Sequence, residues 1–224
     1  MYIPPYFPEP ETIPGCVANA DYDTRLAFVR RVVYLHLLAV APMFGLAWLP
    51  GFQPHVGTSA LLVLAVLLAL TLTRRLGPGG RADRVSCVLL YPVLAWGVGG
   101  MLTVLSQTMP VTFLCMLTAL LSSGLYTATC GRDFSFLGQF FFSLVAPTAV
   151  ALVQVIVLRE YHAGVAAWTL AFVLMFFVVY DLAALLQRRR DGEQWPAVID
   201  LFRDSLNFIT YGFRVIAHVR KFRI

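Results

Sequence analysis

Six stretches of this 224-residue chain are apolar over the length a helix needs to cross a bilayer: Val32 to Leu49, Val56 to Thr73, Val85 to Leu105, Val111 to Thr129, Phe136 to Leu158, and Gly164 to Gln187. A span of hydrocarbon takes ~20 such residues, somewhat fewer where the bilayer thins. Backbone groups in lipid have no water to bond, so each span must satisfy them internally, and the alternating pattern of a barrel is absent. The expected fold is therefore all-α, a polytopic membrane protein. A seventh segment, Trp195 to Ile216, has the length but carries Asp200, Arg203, Asp204, Asn207 and Arg214. We read it as a full crossing, with re-entry as the alternative, which makes a seven-transmembrane-helix bundle whose last helix is less hydrophobic.

Composition agrees. With 59% hydrophobic and 13% charged residues and a mean hydropathy of +0.75, the chain is far from a soluble domain, which is about half apolar and a quarter charged. The net charge of +5 does not point to nucleic acid, because the basic residues gather at the ends of the apolar runs, where they set topology and meet anionic headgroups. Arg25, Arg30 and Arg31 precede the first span; Arg74, Arg75, Arg81 and Arg84 fill the second connection, Arg132 the fourth, and Arg188 to Arg190 the sixth. The odd connections hold only Arg159. The positive-inside rule then puts the N-terminus and the even connections in the cytosol. The expected organisation is a proline-rich, disordered cytosolic leader over residues 1–24, a seven-helix transmembrane domain over 25–217 and a short basic tail over 218–224. The four cysteines show no CxxC spacing and read as small apolar side chains rather than a metal cluster or disulfide framework.

Asp181 and Asp204 lie at equal distances from the apex of the charged connection Arg188 to Gln194. Each is ~10–15 Å along its helix from that connection at 1.5 Å per residue, so adjacent antiparallel helices bring them to similar depths. A charge near the bilayer centre costs about 2.5 kcal/mol or more, which marks such residues as a candidate site. Two carboxylates ~4 Å apart repel by ~4 kcal/mol at an effective dielectric near 20. They would share a proton and titrate as a pair, and once deprotonated would bind a hard cation such as Ca²⁺. Asp200, Asp204, Asn207 and Tyr211 share one helical stripe, making Asp200 and Asn207 supporting residues. The neighbouring Arg203 is a third supporting residue, and Arg74 and Arg75 are the candidates to latch the pair, reading equally as topology determinants.

The segments that begin Thr24-Arg-Leu-Ala-Phe-Val-Arg-Arg and Gly131-Arg-Asp-Phe-Ser-Phe-Leu-Gly, together with Tyr180-Asp-Leu and Ile199-Asp-Leu-Phe-Arg-Asp-Ser-Leu-Asn, resemble the transmembrane Bax inhibitor motif family from about residue 24 onward. The resemblance implies a seven-helix bundle in the endoplasmic reticulum or related membranes and a pH-sensitive calcium leak that lowers stored calcium and restrains apoptosis. It also implies that Asp181 and Asp204 are the sensor pair and that a second-helix arginine is the latch. Two departures stand out: Arg203 replaces the usual apolar residue, and Arg74-Arg75 offers two latch candidates. Sixteen arginines against one lysine, with the short leader and tail, resemble diverged members carried by cytomegalovirus-type herpesviruses, which would act as viroporin-like proteins on host stores.

Other classes fit less well. Tyr180-Asp181 matches half of an intramembrane aspartyl protease signature, but the Gly-x-Gly-Asp half is missing and no enzyme is expected. The serious alternative is a non-conducting membrane adaptor that binds apoptotic-regulator or immune membrane proteins. The orientation is directly testable. A glycosylation acceptor inserted beside Arg159 should be modified in microsomes while one beside Arg132 should not, and the reverse pattern would overturn the assignment.

Overall fold

Helix starts in this chain are written into single residues. The Asp21 carboxylate accepts from the Thr24 amide at 3.3 Å and the Thr24 hydroxyl at 2.5 Å, the N-cap bond that satisfies an otherwise orphan donor. The Thr24 hydroxyl and amide together hold the Asp21 carboxyl below its ordinary range. Ser135 caps another helix through the Gly138 amide at 2.8 Å, and Pro110 occupies a first helical position, where its missing N–H is harmless.

The computed structural model describes residues 13–49, 51, 54–76 and 81–206, with the backbone alone at 71, 74–76, 82–84 and 203–206. Among them the chain is helical: α1 Tyr22–Leu46, α2 Val56–Leu76, α3 Arg81–Thr108, α4 Pro110–Thr129, α5 Phe136–Ile156, α6 Tyr161–Arg188 and α7 Gln194–Leu206. Five of these are long and apolar enough to cross a membrane, and α2 contributes the shorter apolar run Val56–Leu70. Apart from α5, which stops at Ile156, the helices α1 to α6 are longer than the apolar stretches that announce them. Whereas the first span begins at Val32, α1 begins at Tyr22, because hydropathy marks the hydrocarbon and not the extra turns a helix makes among headgroups.

The expected leader needs correction from Ile13 onward. Residues Val17–Asn19 form a 3-10 turn, Cys16 and Val17 are buried, and the segment is stitched to the end of α6 by Ile13 N–H to Gln187 O at 3.2 Å and Val17 N–H to Arg189 O at 2.8 Å. The reason is reciprocal. A helix C-terminus leaves carbonyls without partners, and an extended leader supplies the amides.

Neighbour contacts set the packing. The α4 and α5 pair is antiparallel, with Gln139 reaching Ser123 and Thr127 at one level and Cys115 reaching the Pro147 carbonyl further along. The α5 and α6 pair follows suit through Trp168 Nε1 to Thr148 Oγ1 at 2.9 Å. By contrast α1 and α3 run parallel, since Tyr91 donates to the Ala39 carbonyl at 2.6 Å and Thr103 to that of Ala47 at 3.2 Å. Val29, Val32, Ala119, Ala171, Met175 and Leu182 belong to the main core, while Leu61, Val88, Leu89 and Leu137 are each about two-thirds exposed or more, at 69%, 73%, 70% and 66%. An outer surface this apolar calls for lipid.

Small residues permit the closest approaches. A Cβ at Gly99 would stand 2.9 Å from the Leu46 Cβ, and one at Gly164 would stand 2.7 Å from Val155 and 3.0 Å from the Ala151 carbonyl. Gly164→Leu should therefore destabilise the α5 and α6 pair by about 1–3 kcal/mol. Leu61→Ala on the outer face should stay within about 0.5 kcal/mol. Thermal unfolding of the detergent-solubilised protein checks both.

Candidate intramembrane acidic site

Asp181 sits on α6, the most apolar of the five candidate spans with a mean hydropathy of 2.3. Its helix presents Val178, Val179, Leu182 and Leu185 inward, and Asp181 shares that inward face at only 2% exposure. The basic residue Arg188 ends the helix, so the carboxylate is about two turns in from the charged border. An acidic side chain kept on the interior face rather than snorkelling outward is the arrangement expected of a functional group in a membrane helix.

From that border the chain turns through Gly192, whose φ of +88° is a conformation that favours glycine. It then returns as α7, which buries Ala197, Val198 and Leu201. Asp200, the first acidic residue of α7, lies on the same inward face and is bound by Arg189: Nε donates to Oδ2 at 3.1 Å, and a second guanidinium nitrogen completes the salt bridge to the same oxygen. Sequence reading treated Arg189 as a topology determinant only. Its place eleven residues before Asp200, across a tight helical hairpin, is the signal that joins them.

One turn beyond Asp200 the α7 backbone carries Asp204, ~6 Å further along the axis. The side chains of Asp204 and Arg203, those of the latch candidates Arg74 and Arg75 at the end of α2, and all of Asn207 lie outside the described residues. Among the described residues no cluster of three or more His, Cys, Asp or Glu is placed to hold a metal. No disulfide joins the described cysteines, of which Cys16 and Cys115 are buried and Cys87 and Cys130 half-buried.

Structure adds a residue that the pattern of paired aspartates did not single out. His36, in the middle of α1, is buried at 5% exposure, with Nδ1 lacking a hydrogen-bond partner among the described residues. It meets Phe202 of α7 edge-on at 6.1 Å, and Tyr91 of α3 touches the same ring at 6.5 Å. Its presence inside an apolar span was the available signal. Three buried polar residues also fill the seam of α4 and α5, where the Gln139 amide donates to Ser123 at 2.9 Å and Thr127 at 3.1 Å.

These features define a polytopic helical membrane protein with acidic side chains turned into its bundle. No protein-family model, no curated protein and no solved structure matches the chain.

The hairpin pair can be measured. With side chains 19% and 10% exposed, Arg189 and Asp200 should show a coupling of about 1–3 kcal/mol in a double-mutant cycle built on Arg189→Gln and Asp200→Asn. A coupling near zero would reduce the contact to a surface ion pair.

Proposed function

We propose that the chain is a seven-span, acid-sensitive calcium leak of the endoplasmic reticulum or a related intracellular membrane, with its N-terminus in the cytosol. The observation that carries this reading is the Asp181 carboxylate, buried within a candidate span whose apolar stretch has the highest mean hydropathy of the five. Retaining it there against an insertion cost of about 2.5 kcal/mol or more implies a use for the charge. Asp204 is the second member of the sensor, approached from α7. While the two share a proton the helices stay together. When the proton leaves, like charges separate them or a divalent cation enters, and Ca²⁺ suits carboxylate and carbonyl oxygens.

On this reading Arg74 or Arg75, at the end of α2, latches the closed form by pairing with the single negative charge that the proton-sharing pair keeps. The Arg189 and Asp200 bridge anchors the base of the α6 and α7 hairpin so that only the segment beyond it moves. Calcium lost from the store lowers the signal for apoptosis, in a host cell if the protein is viral, which is what the resemblance to the Bax inhibitor motif family implies. A second reading, a non-conducting adaptor for apoptotic or immune membrane proteins, draws support from the ordered face that the leader and hairpin form together around Cys16 and Arg190.

Calcium efflux from liposomes holding the purified full chain distinguishes the two. The native chain should show pH-dependent flux, and Asp181→Asn and Asp204→Asn should each abolish the pH dependence. Flux that is absent, or indifferent to pH and to both substitutions, removes the channel and leaves the adaptor.

A further inference from the structure

A cavity of about 190 Å³ opens where Tyr22, Arg25, Leu26 and Val29 of α1 meet Phe134, just before α5, and Leu186 near the end of α6. At ~30 Å³ per water it holds about six, room for a phosphate group and part of the alcohol esterified to it. We propose that it binds the headgroup of an anionic phospholipid, a role independent of whether the chain conducts ions.

Arg25 supplies the charge, and no acidic side chain among the described residues pairs with it. Its Nε is buried and finds no acceptor among the described residues. Asp21, four residues earlier and a natural helical partner, is turned instead to Thr24, from which it accepts two bonds. Arg30, the next arginine along the helix, is already occupied by the carbonyls of Thr127 at 3.1 Å and Gly131 at 3.2 Å. A guanidinium offers paired donors that match phosphate oxygens, so the terminal nitrogens of Arg25, which no acceptor among the described residues occupies, set the ligand's chemistry.

The position of Arg25 is also prepared in advance. Its guanidinium carbon lies 5.9 Å from the Tyr22 ring centre, and that ring is pinned by the Phe134 amide, which donates to Tyr22 Oη at 2.9 Å. An aromatic at the membrane border is at home between headgroup and hydrocarbon.

The walls decide between a free phosphate and a lipid. Leu26, Val29 and Leu186 give one side of the cavity an apolar lining, which a hydrated inorganic ion gains nothing from. On the outer face of α5, Leu137 and Phe141 are exposed at 66% and 60%, a surface for the acyl chains of a lipid whose head is held at Arg25. Basic pockets at the cytosolic edge between membrane helices take acidic headgroups for the same reasons.

The test uses the full chain in detergent, titrated with short-chain phosphatidic acid, phosphatidylcholine or inorganic phosphate and read by native mass spectrometry. Phosphatidic acid should bind in preference to phosphatidylcholine, and inorganic phosphate should not displace it at comparable concentration. Arg25→Gln should weaken phosphatidic acid about fivefold, Arg25→Lys, which keeps the charge but not the paired donors, should recover only part of that loss, and Arg31→Gln, at an exposed arginine of the same helix, should leave binding unchanged. The lipid-free unfolding temperature of each variant should match that of the native chain. Equal binding of both lipids, an equal loss in Arg31→Gln, or displacement by phosphate alone would overturn the proposal.

Discussion

Hydrocarbon offers a polar group no hydrogen bond, and the organisation of this chain follows from where its polar groups find partners instead. Threonines that face outward return their hydroxyls to their own helix, as Thr108 does to the Val104 carbonyl at 2.7 Å, Thr129 to Leu125 at 2.9 Å and Thr169 to Val165 at 2.9 Å. Such back-bonding carries only a slight cost to the helix and leaves nothing exposed to lipid. Longer polar side chains reach a neighbour: Gln139 joins α4 to α5, Trp168 joins α6 to α5 and Tyr91 joins α3 to α1. Because lipid is as apolar as leucine, these bonds and the close approaches at Gly99 and Gly164, rather than hydrophobic burial, hold the helices in register.

Among the described residues the same rule gathers the acidic and basic side chains in two places. Most sit at the borders, where arginines meet water and headgroups. The rest are drawn into the α6 and α7 hairpin, which the leader completes by donating amides to the carbonyls of Gln187 and Arg189. Arg189 and Asp200 close its base, and Asp181 lies on the interior face above them. The sensor that we propose lies on the inner part of this hairpin, above the bridge that ties its charged end.

Much of this was legible residue by residue. The apolar runs announced α1 to α6, and the polar interruption at 188–194 announced the hairpin. Asp181 stood out because an acidic residue inside a clean span is costly, and it is buried. Less legible were contacts made across long separations. The ordering of Ile13 to Ala20 was not expected of a proline-rich leader, because its cause is the end of a helix some 170 residues later. Asp200 read as one of an acidic stripe, yet its carboxylate is bound by Arg189, and His36 was passed over among the apolar residues around it.

The amino-acid sequence alone determined that the chain is helical and lives in a membrane, because both follow from local hydropathy and from the need of each span to satisfy its own backbone. It also determined which ionisable residues fall inside the apolar segments. Tertiary structure decided which ionisable residues have partners and who those partners are: Arg189 for Asp200, Thr24 for Asp21, Phe202 against His36, and an open cavity for Arg25. The physical reason is that transfer into lipid is a property of a segment, whereas a hydrogen bond or ion pair depends on two groups meeting within a few ångströms, which only the packing of distant helices can arrange.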